Sequence, residues 1–276
     1  MNELLSIFIP TYNRKDDLNR LLNSIILENG ADLNNIHIYI SSNSPEDYET
    51  MRMVLQWKEI YPHISYHTNK KNIGIDANHD KIYDYCTHSK YALAIADDDL
   101  LLQGAIKEVM GLCNENFLFA LCNAVYYTGG VKHTDKIYNC EQKICLKYKK
   151  LLQAMIYQIM PNGMCPLLPF YGGIIVNTQF MNERTTRVER QVFEGTFHQY
   201  IGCLWNALSR NEEMCGLISE KIVIAIGHDI KKKSWLSDYQ DTFIIKVPSF
   251  YKKLELDEKT RKEILDLYNK NILKQK

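Results

Sequence analysis

The chain has 276 residues, 46% of them hydrophobic and 24% charged, with 33 Lys/Arg against 33 Asp/Glu. That size and composition fit one large domain, or one domain with a modest appendage, around a sizeable core. A formal net charge of zero removes the broad positive field expected of a nucleic-acid partner, and no apolar run approaches the ~18 residues that cross a bilayer.

The N-terminus, Met1-Asn2-Glu3-Leu4, has no basic n-region, so a signal peptide is not expected. Eight cysteines are scattered without a CxxC pair. Neither a zinc site nor a disulfide framework is expected, and reduced thiols imply a cytoplasmic chain.

Leu4–Ile9 has the length of a buried strand, and Pro10 closes it. Thr11-Tyr12-Asn13-Arg14 forms a loop, after which Asp16 or Asp17 caps a helix with Leu18, Leu21, Leu22, Ile25 and Ile26 at helical spacing. Ile36–Ile40 is a second strand, followed by the polar loop Ser41–Asp47. A helix then carries Met51, Val54, Leu55 and Ile60. Ile64–His67 is the third strand, Asn72-Ile73-Gly74 a turn, and Ile75, His79, Ile82 and Cys86 share one side of the next helix.

The fourth strand is Tyr91–Ala96, and it stops in Asp97-Asp98-Asp99. A βαβαβαβ order implies a parallel sheet with helices on both faces and right-handed crossovers. Each loop after a strand lies at the carboxyl edge, where open α/β sheets bind ligands. Three adjacent carboxylates repel one another unless a cation or hydrogen-bond donors hold them. Two readings of the triplet stand at this point: a divalent-metal site, or an acidic turn in which Asp99 caps the following helix.

Beyond it the pattern gives a helix through Ala105, Val109 and Leu112, a strand at Phe117–Cys122, and a turn at Tyr126–Gly130 into an irregular, β-rich insert. A helix near 151–160, a strand at Gly172–Val176, a helix at Gly195–Leu208 and a strand at Glu220–Ile226 follow. An amphipathic helix near 257–273 carries Ile264, Leu265 and Tyr268 on one face. The divisions expected are a donor-binding half, 1–125, an acceptor-binding half, 126–235, and a helical tail, 236–276.

No G-x-G-x-x-G or G-x-x-x-x-G-K-[ST] cradle follows a strand, so phosphates in such a sheet need another counter-charge. Acids at a strand end supply one by holding a metal. Here the sequence resembles the family 2 glycosyltransferases, which have the GT-A fold. Phe8-Ile9-Pro10-Thr11-Tyr12-Asn13-Arg14, the Ser42-Asn43-Ser44 loop, Asn72-Ile73-Gly74 and Asp97-Asp98-Asp99 follow in that family's order. The second half matches loosely; Gly195-Thr196 and Ser234-Trp235 are similar to the abequosyltransferase-like branch.

The resemblance implies inverting transfer of a sugar from a nucleoside diphosphate donor, a UDP-sugar first, to a glycan or lipid-linked glycan acceptor in bacterial surface polysaccharide synthesis. It implies a Mn²⁺ or Mg²⁺ cofactor held by Asp99 with Asp97, and Asp98 near the ribose or donor sugar. Pro10, Thr11 and Tyr12 border the base and ribose, Arg14 approaches the phosphates, and Asn72 and Gly74 line the donor pocket. The family often has an aspartate where this chain has Ser42, beside Asn43, which removes one support for a uracil base. A sugar-phosphate nucleotidyltransferase and a silent nucleotide-sugar binder are the alternatives.

Inversion by direct displacement needs a general base. Glu194 is the first candidate and Glu189 the second; a pair of solvated acids is the plain alternative. His198, His228, Lys233 and Trp235 are expected phosphate or acceptor contacts, set against a structural histidine and a basic surface loop. From residue 231 to the end, twelve Lys/Arg face seven Asp/Glu. That surplus gives the tail a peripheral membrane contact as one reading and an ordinary solvated face as the other.

Overall fold

The computed structural model describes residues 3–33, 36–128, 131–132, 135–160, 167–168, 172–182, 190–227 and 240–273. Its first half alternates as the sequence implies. Strand β1 (Glu3–Thr11) leads to helix α1 (Lys15–Ile26), β2 (His37–Ser42) to α2 (Tyr48–Ile60), and β3 (Ile64–Thr68) to the short α3 (Ile75–His79) and α4 (Ile82–Tyr85), then β4 (Ser89–Ala94). After these come β5 (Leu100–Leu101), α5 (Ala105–Leu112), β6 (Phe119–Thr128), β7 (Val131–Lys132), β8 (Ile144–Leu146) and α6 (Tyr148–Ala154). Then follow β9 (Ile174–Asn177), α7 (Thr178–Asn182), α8 (Gln199–Ser209), β10 (Gly216–Gly227), α9 (Val247–Lys253) and α10 (Glu258–Leu273).

The strands form one sheet in the order β3-β2-β1-β4-β9-β6-β10-β5, with β7 on β6 and β8 on β10. β3, β2, β1 and β4 are mutually parallel. The sheet is mostly parallel, as the sequence implies, with local reversals: β9 runs antiparallel to both β4 and β6, while β6 and β10 are again parallel. The short strands β5, β7 and β8 also pair antiparallel, so the fold is a mixed α/β sheet, parallel through its first four strands.

β1 is buried along seven consecutive positions, as a strand covered on both faces must be. Its residues alternate between two cores. Leu5, Ile7 and Ile9 pack with Leu18, Leu21, Leu22 and Ile25 of α1. Phe8 faces the opposite core, which holds Trp205, Phe250, Ile264 and Tyr268 of the later helices. The C-terminal helix therefore buries Ile264 and Tyr268 against the domain.

Several local expectations are corrected. Neither Asp16 nor Asp17 caps α1; Arg14 holds the N-cap position without a side-chain bond, and both acids lie in the first turn, where they favour the helix dipole. On α2 only Thr50 and Val54 are buried, and Leu55 and Ile60 are exposed, because the helix covers the narrow edge of the sheet. Residues 75–86 form two short helices, not one, and Ile75 is exposed. Asp99 does not cap the next helix: Leu100–Leu101 pairs antiparallel with β10, and Gly104, in the left-handed conformation, precedes α5. The sixth strand begins at Phe119 and runs to Thr128, past the turn expected at Tyr126, because β10 pairs along it as far as Tyr127. Among the described residues no helix is long and apolar enough to cross a membrane.

Candidate functional site

The loops after β1 and β2 are knitted together at the carboxyl edge. Asn43 N donates to the Thr11 carbonyl at 2.9 Å, and Asn13 N to Ser44 Oγ at 2.9 Å. Asn13 adopts a positive φ of 53°, a conformation asparagine tolerates better than most residues. Pro10, Thr11, Ser42 and Asn43 are buried, while Tyr12 projects with 49% of its surface exposed.

Asn43 and Asn72 are committed to the next loop. Asn43 Nδ2 donates to Asn72 Oδ1 at 2.7 Å, Asn43 Oδ1 accepts from Ile73 N at 2.9 Å, and Asn72 Oδ1 also accepts from Gly74 N at 2.9 Å. Both amides hold the turn's shape. Gly74, at φ 85°, opens α3, and only a glycine takes that angle without strain.

The acidic triplet follows the fourth strand as the sequence implies, but β4 spans Ser89–Ala94 rather than Tyr91–Ala96, so Ile95 and Ala96 separate it from Asp97. Arg14 Nη1 lies 3.0 Å from Asp97 Oδ1 and 3.0 Å from Asp98 Oδ2, so one guanidinium bridges two of the three acids. Burial pushes the Asp97 carboxyl up to about 6, with Arg14 opposing. Asp99 stands apart from that pair and is 2% exposed. Its Oδ1 accepts from Gly227 N at 3.1 Å, at the end of β10. Two glycines make its cradle: a Cβ on Gly172 would collide with Asp99 Oδ2, and one on Gly227 would collide with the Asp98 carbonyl.

The donor set is all carboxylate oxygen, which suits Mg²⁺ or Mn²⁺. Among the described residues no three His, Cys, Asp or Glu side chains converge into a ready-made cage. That agrees with a cation held by one or two carboxylates and completed by substrate phosphates and water, the habit of Mg²⁺. The residues fit such an ion in that partial sense.

A cavity of about 650 Å³ opens beside this edge, lined among others by Gly74, Asp76, Asp80, Arg190, Glu194 and Gln199. Of the residues singled out from sequence, Gly74 and Glu194 reach it; Asp97, Asp98 and Asp99 do not line it. Glu194 is exposed at the end of a 3₁₀ turn. Tyr200 is 3% exposed; burial, with the negative charges of Asp76 and Asp99 adding to it, pushes its hydroxyl pKa up.

His198 lies at the start of α8, its ring 5.8 Å from that of Phe250. Burial, with a smaller contribution from His79, lowers its pKa to about 3. Glu189, His228, Lys233 and Trp235 lie outside the described residues. The chain nevertheless enters the segment containing the last three directly from Gly227, at the acidic edge.

Sequence reading missed the second layer. Asp80 faces Arg190 at 3.5 Å and accepts from Gln199 Nε2 at 2.6 Å; Arg190 also stacks 4.4 Å over the Tyr83 ring. Burial raises Asp80 to about 7 despite Arg190. The only available signal was the i, i+4 spacing of Asp76 and Asp80, which puts two acids on one helical face without naming their partners.

The sequence model of glycosyl transferase family 2 matches residues 6–170. A processive diacylglycerol beta-glycosyltransferase of Mycoplasma genitalium is 26% identical over 203 residues, 70% of this chain and 57% of that protein. Abequosyltransferase RfbV of Salmonella typhimurium is 43% identical over 76 residues, 27% of this chain and 22% of its own. The chain thus spans less than two thirds of either relative.

Among solved structures, S. aureus TarS 1–349 superposes with a TM-score of 0.65 at 14% identity, covering 98% of this chain and 72% of that one; it has also been solved with UDP-GlcNAc. The mannosyltransferase PcManGT of Pyrobaculum calidifontis, solved with GDP-Man and Mn²⁺, gives 0.59 at 11% identity, covering 98% and 70%. These likenesses establish the fold.

Proposed function

The chain belongs to glycosyl transferase family 2, and from that premise we propose that it moves a sugar from a nucleoside diphosphate donor to an acceptor hydroxyl, with inversion. The observation that carries this reading is the acidic end of β4, bridged by Arg14 and closed by the Gly227 amide, at the edge where α/β sheets bind ligands.

In this reading residues 1–125 hold the donor, 126–235 shape the acceptor side, and 236–276 form a helical tail. Pro10, Thr11, Tyr12, Ser42 and Asn43 border the nucleoside. Arg14 and Asp98 face the diphosphate and the adjoining sugar. Asp99 with Asp97 holds Mn²⁺ or Mg²⁺, which when bound supplies counter-charge to the departing diphosphate.

Glu194 takes the proton of the acceptor hydroxyl. The acceptor oxygen bonds to C1 from the face opposite the leaving group, and the C1–O electron pair departs on the β-phosphate. Glu189 is the second candidate for the base. His228, Lys233 and Trp235, which follow Gly227 in the chain, are the further candidates for phosphate or acceptor contacts. The lipid acceptor named for the Mycoplasma relative and the abequosyl transfer named for the Salmonella one favour a glycan or lipid-linked acceptor of the bacterial surface, met at the cytoplasmic membrane face.

The test is incubation with UDP- and GDP-sugars in Mn²⁺ or Mg²⁺. Nucleoside diphosphate release that vanishes in Asp99→Ala, with the fold retained, is the expected result. Release of pyrophosphate, or unchanged turnover in Asp99→Ala, would overturn the reading.

A further inference from the structure

The segment that presents Glu194 has an unusual backbone. Gly195 has φ 77° and Phe197 φ 63°. The first is natural for glycine, but the second puts an aromatic residue in the left-handed region, where it persists only if its surroundings impose it.

What imposes it lies 121 residues earlier in the chain. Asp76 Oδ2 accepts from Phe197 N at 3.0 Å, and Oδ1 accepts from Gln199 N at 3.4 Å. Two backbone N–H groups, two residues apart, therefore converge on one carboxylate.

The same carboxylate meets the first turn of α8, whose amides lack intrahelical partners. Lys246 covers the outside, its Nζ 3.4 Å from the Phe197 ring centroid. The far end of the segment is tied to the same short helix region, through Arg190 and Asp80. Glu194 lies between the two anchors, and its side chain is exposed on the cavity. Asp76 is also two residues past Gly74, which the Asn43–Asn72 network holds. One side chain thus joins the donor-side turn to the segment carrying the candidate base.

We propose that Asp76 is a positioning residue for the reaction: by holding the Phe197 and Gln199 amides it fixes Glu194 at a set distance from the donor-side turn. This rests on the reading of Glu194 as the base. Asp76 touches no substrate in this account; its effect is on orientation, which enters the rate of the chemical step more than donor affinity.

The experiment uses the full chain, wild type and Asp76→Asn, with Glu194→Gln and the double variant. In Asp76→Asn the amide keeps one acceptor oxygen and turns an NH₂ toward donors. Gly195→Ala is a second route to the same loop: it strains a positive-φ position with nothing within 4 Å of the new Cβ and leaves α3 untouched. Turnover is read as nucleoside diphosphate released, with water as acceptor, from UDP-GlcNAc, UDP-glucose and GDP-mannose in Mn²⁺. Amide hydrogen exchange over residues 191–199 is read in parallel, without substrate.

The expected result for Asp76→Asn is a kcat lower by about tenfold or more, a donor KM within about twofold, and faster exchange at 197 and 199. Gly195→Ala should shift kcat in the same direction. In the Glu194→Gln background Asp76→Asn should cause no further loss, because both act through one group. Unchanged exchange, a rise in KM at constant kcat, or multiplicative losses in the double variant would overturn the positioning role while leaving the base assignment intact. Wild-type turnover in Glu194→Gln would instead remove the base assignment, and the Asp76 proposal with it.

Discussion

Replacing Gly227 by alanine tests whether the end of β10 closes the acidic edge. A Cβ at that position would collide with the Asp98 carbonyl oxygen and lie 2.8 Å from its carbon. Both are backbone atoms, so no rotamer change relieves the contact. β10 has to move away, and the Gly227 N–H to Asp99 bond of 3.1 Å is lost with it. Forced backbone displacement costs about 1–3 kcal/mol, and a hydrogen bond to a charged group contributes about 1.5–3 kcal/mol. Together they destabilise by roughly 2.5–6 kcal/mol, which at ~2–4 °C per kcal/mol lowers Tm by about 5–24 °C.

The assay is thermal unfolding with and without Mn²⁺ and a nucleotide sugar, since specific binding raises Tm. Gly227→Ala should lose both the basal stability and the ligand-dependent rise. Gly30→Ala is the control: nothing lies within 4 Å of its Cβ, and its Tm should not fall. A Gly227→Ala protein within ~1 °C of wild type that keeps the ligand-dependent rise would refute the close-approach argument, since either cost alone exceeds that shift.

Arg14→Met leaves Asp97 and Asp98 without their shared counter-charge; donor affinity measured by calorimetry should fall about tenfold or more, and an unchanged affinity would dissociate Arg14 from the phosphates. Glu194→Gln should preserve donor binding and lower transfer by ~10²-fold or more, measured as product formed per enzyme; near-normal transfer would move the base elsewhere. Asp80 supplies a pH test. Its folded value of about 7 lies above its ordinary value, so the folded state binds the extra proton, and stability attributable to it declines as pH rises from about 4 to about 7. Asp80→Asn should flatten Tm across that window, and an unchanged slope would show that Asp80 is not the group responsible.

The first half of the chain was legible because its signals are local. Leu4–Ile9, broken only by Ser6, and Tyr91–Ala96 are short apolar runs, and α1 keeps its period across Leu18, Leu22 and Ile25, all buried. Asp97–Asp99 could be placed at the carboxyl edge from chain order alone. The reversal at β9 could not be read, because Ile174–Asn177 has the same composition in either direction and its orientation comes from its pairing with β4 and β6. Likewise Leu100–Leu101 is a strand only because β10 lies beside it. Asp76 and Asp80 looked like surface acids of a helix; their partners are backbone amides and an arginine more than a hundred residues away.

That distance has a structural consequence. Side-chain pairs join the first half of the chain to the second: Asp80 with Arg190 and Gln199, Glu108 with Lys221, and Glu115 with Lys143. Asp99 and Asp76 instead reach backbone N–H groups, of Gly227 and of Phe197 and Gln199. A backbone amide is supplied by almost any residue, so these joints constrain the path of the second half far more than its side chains. Glu194 is exposed on the cavity between two such fixed points, so its side chain can change without loosening the frame. A frame joined through amides survives wide change in side chains, and the superposition with TarS covers 98% of this chain at 14% identity.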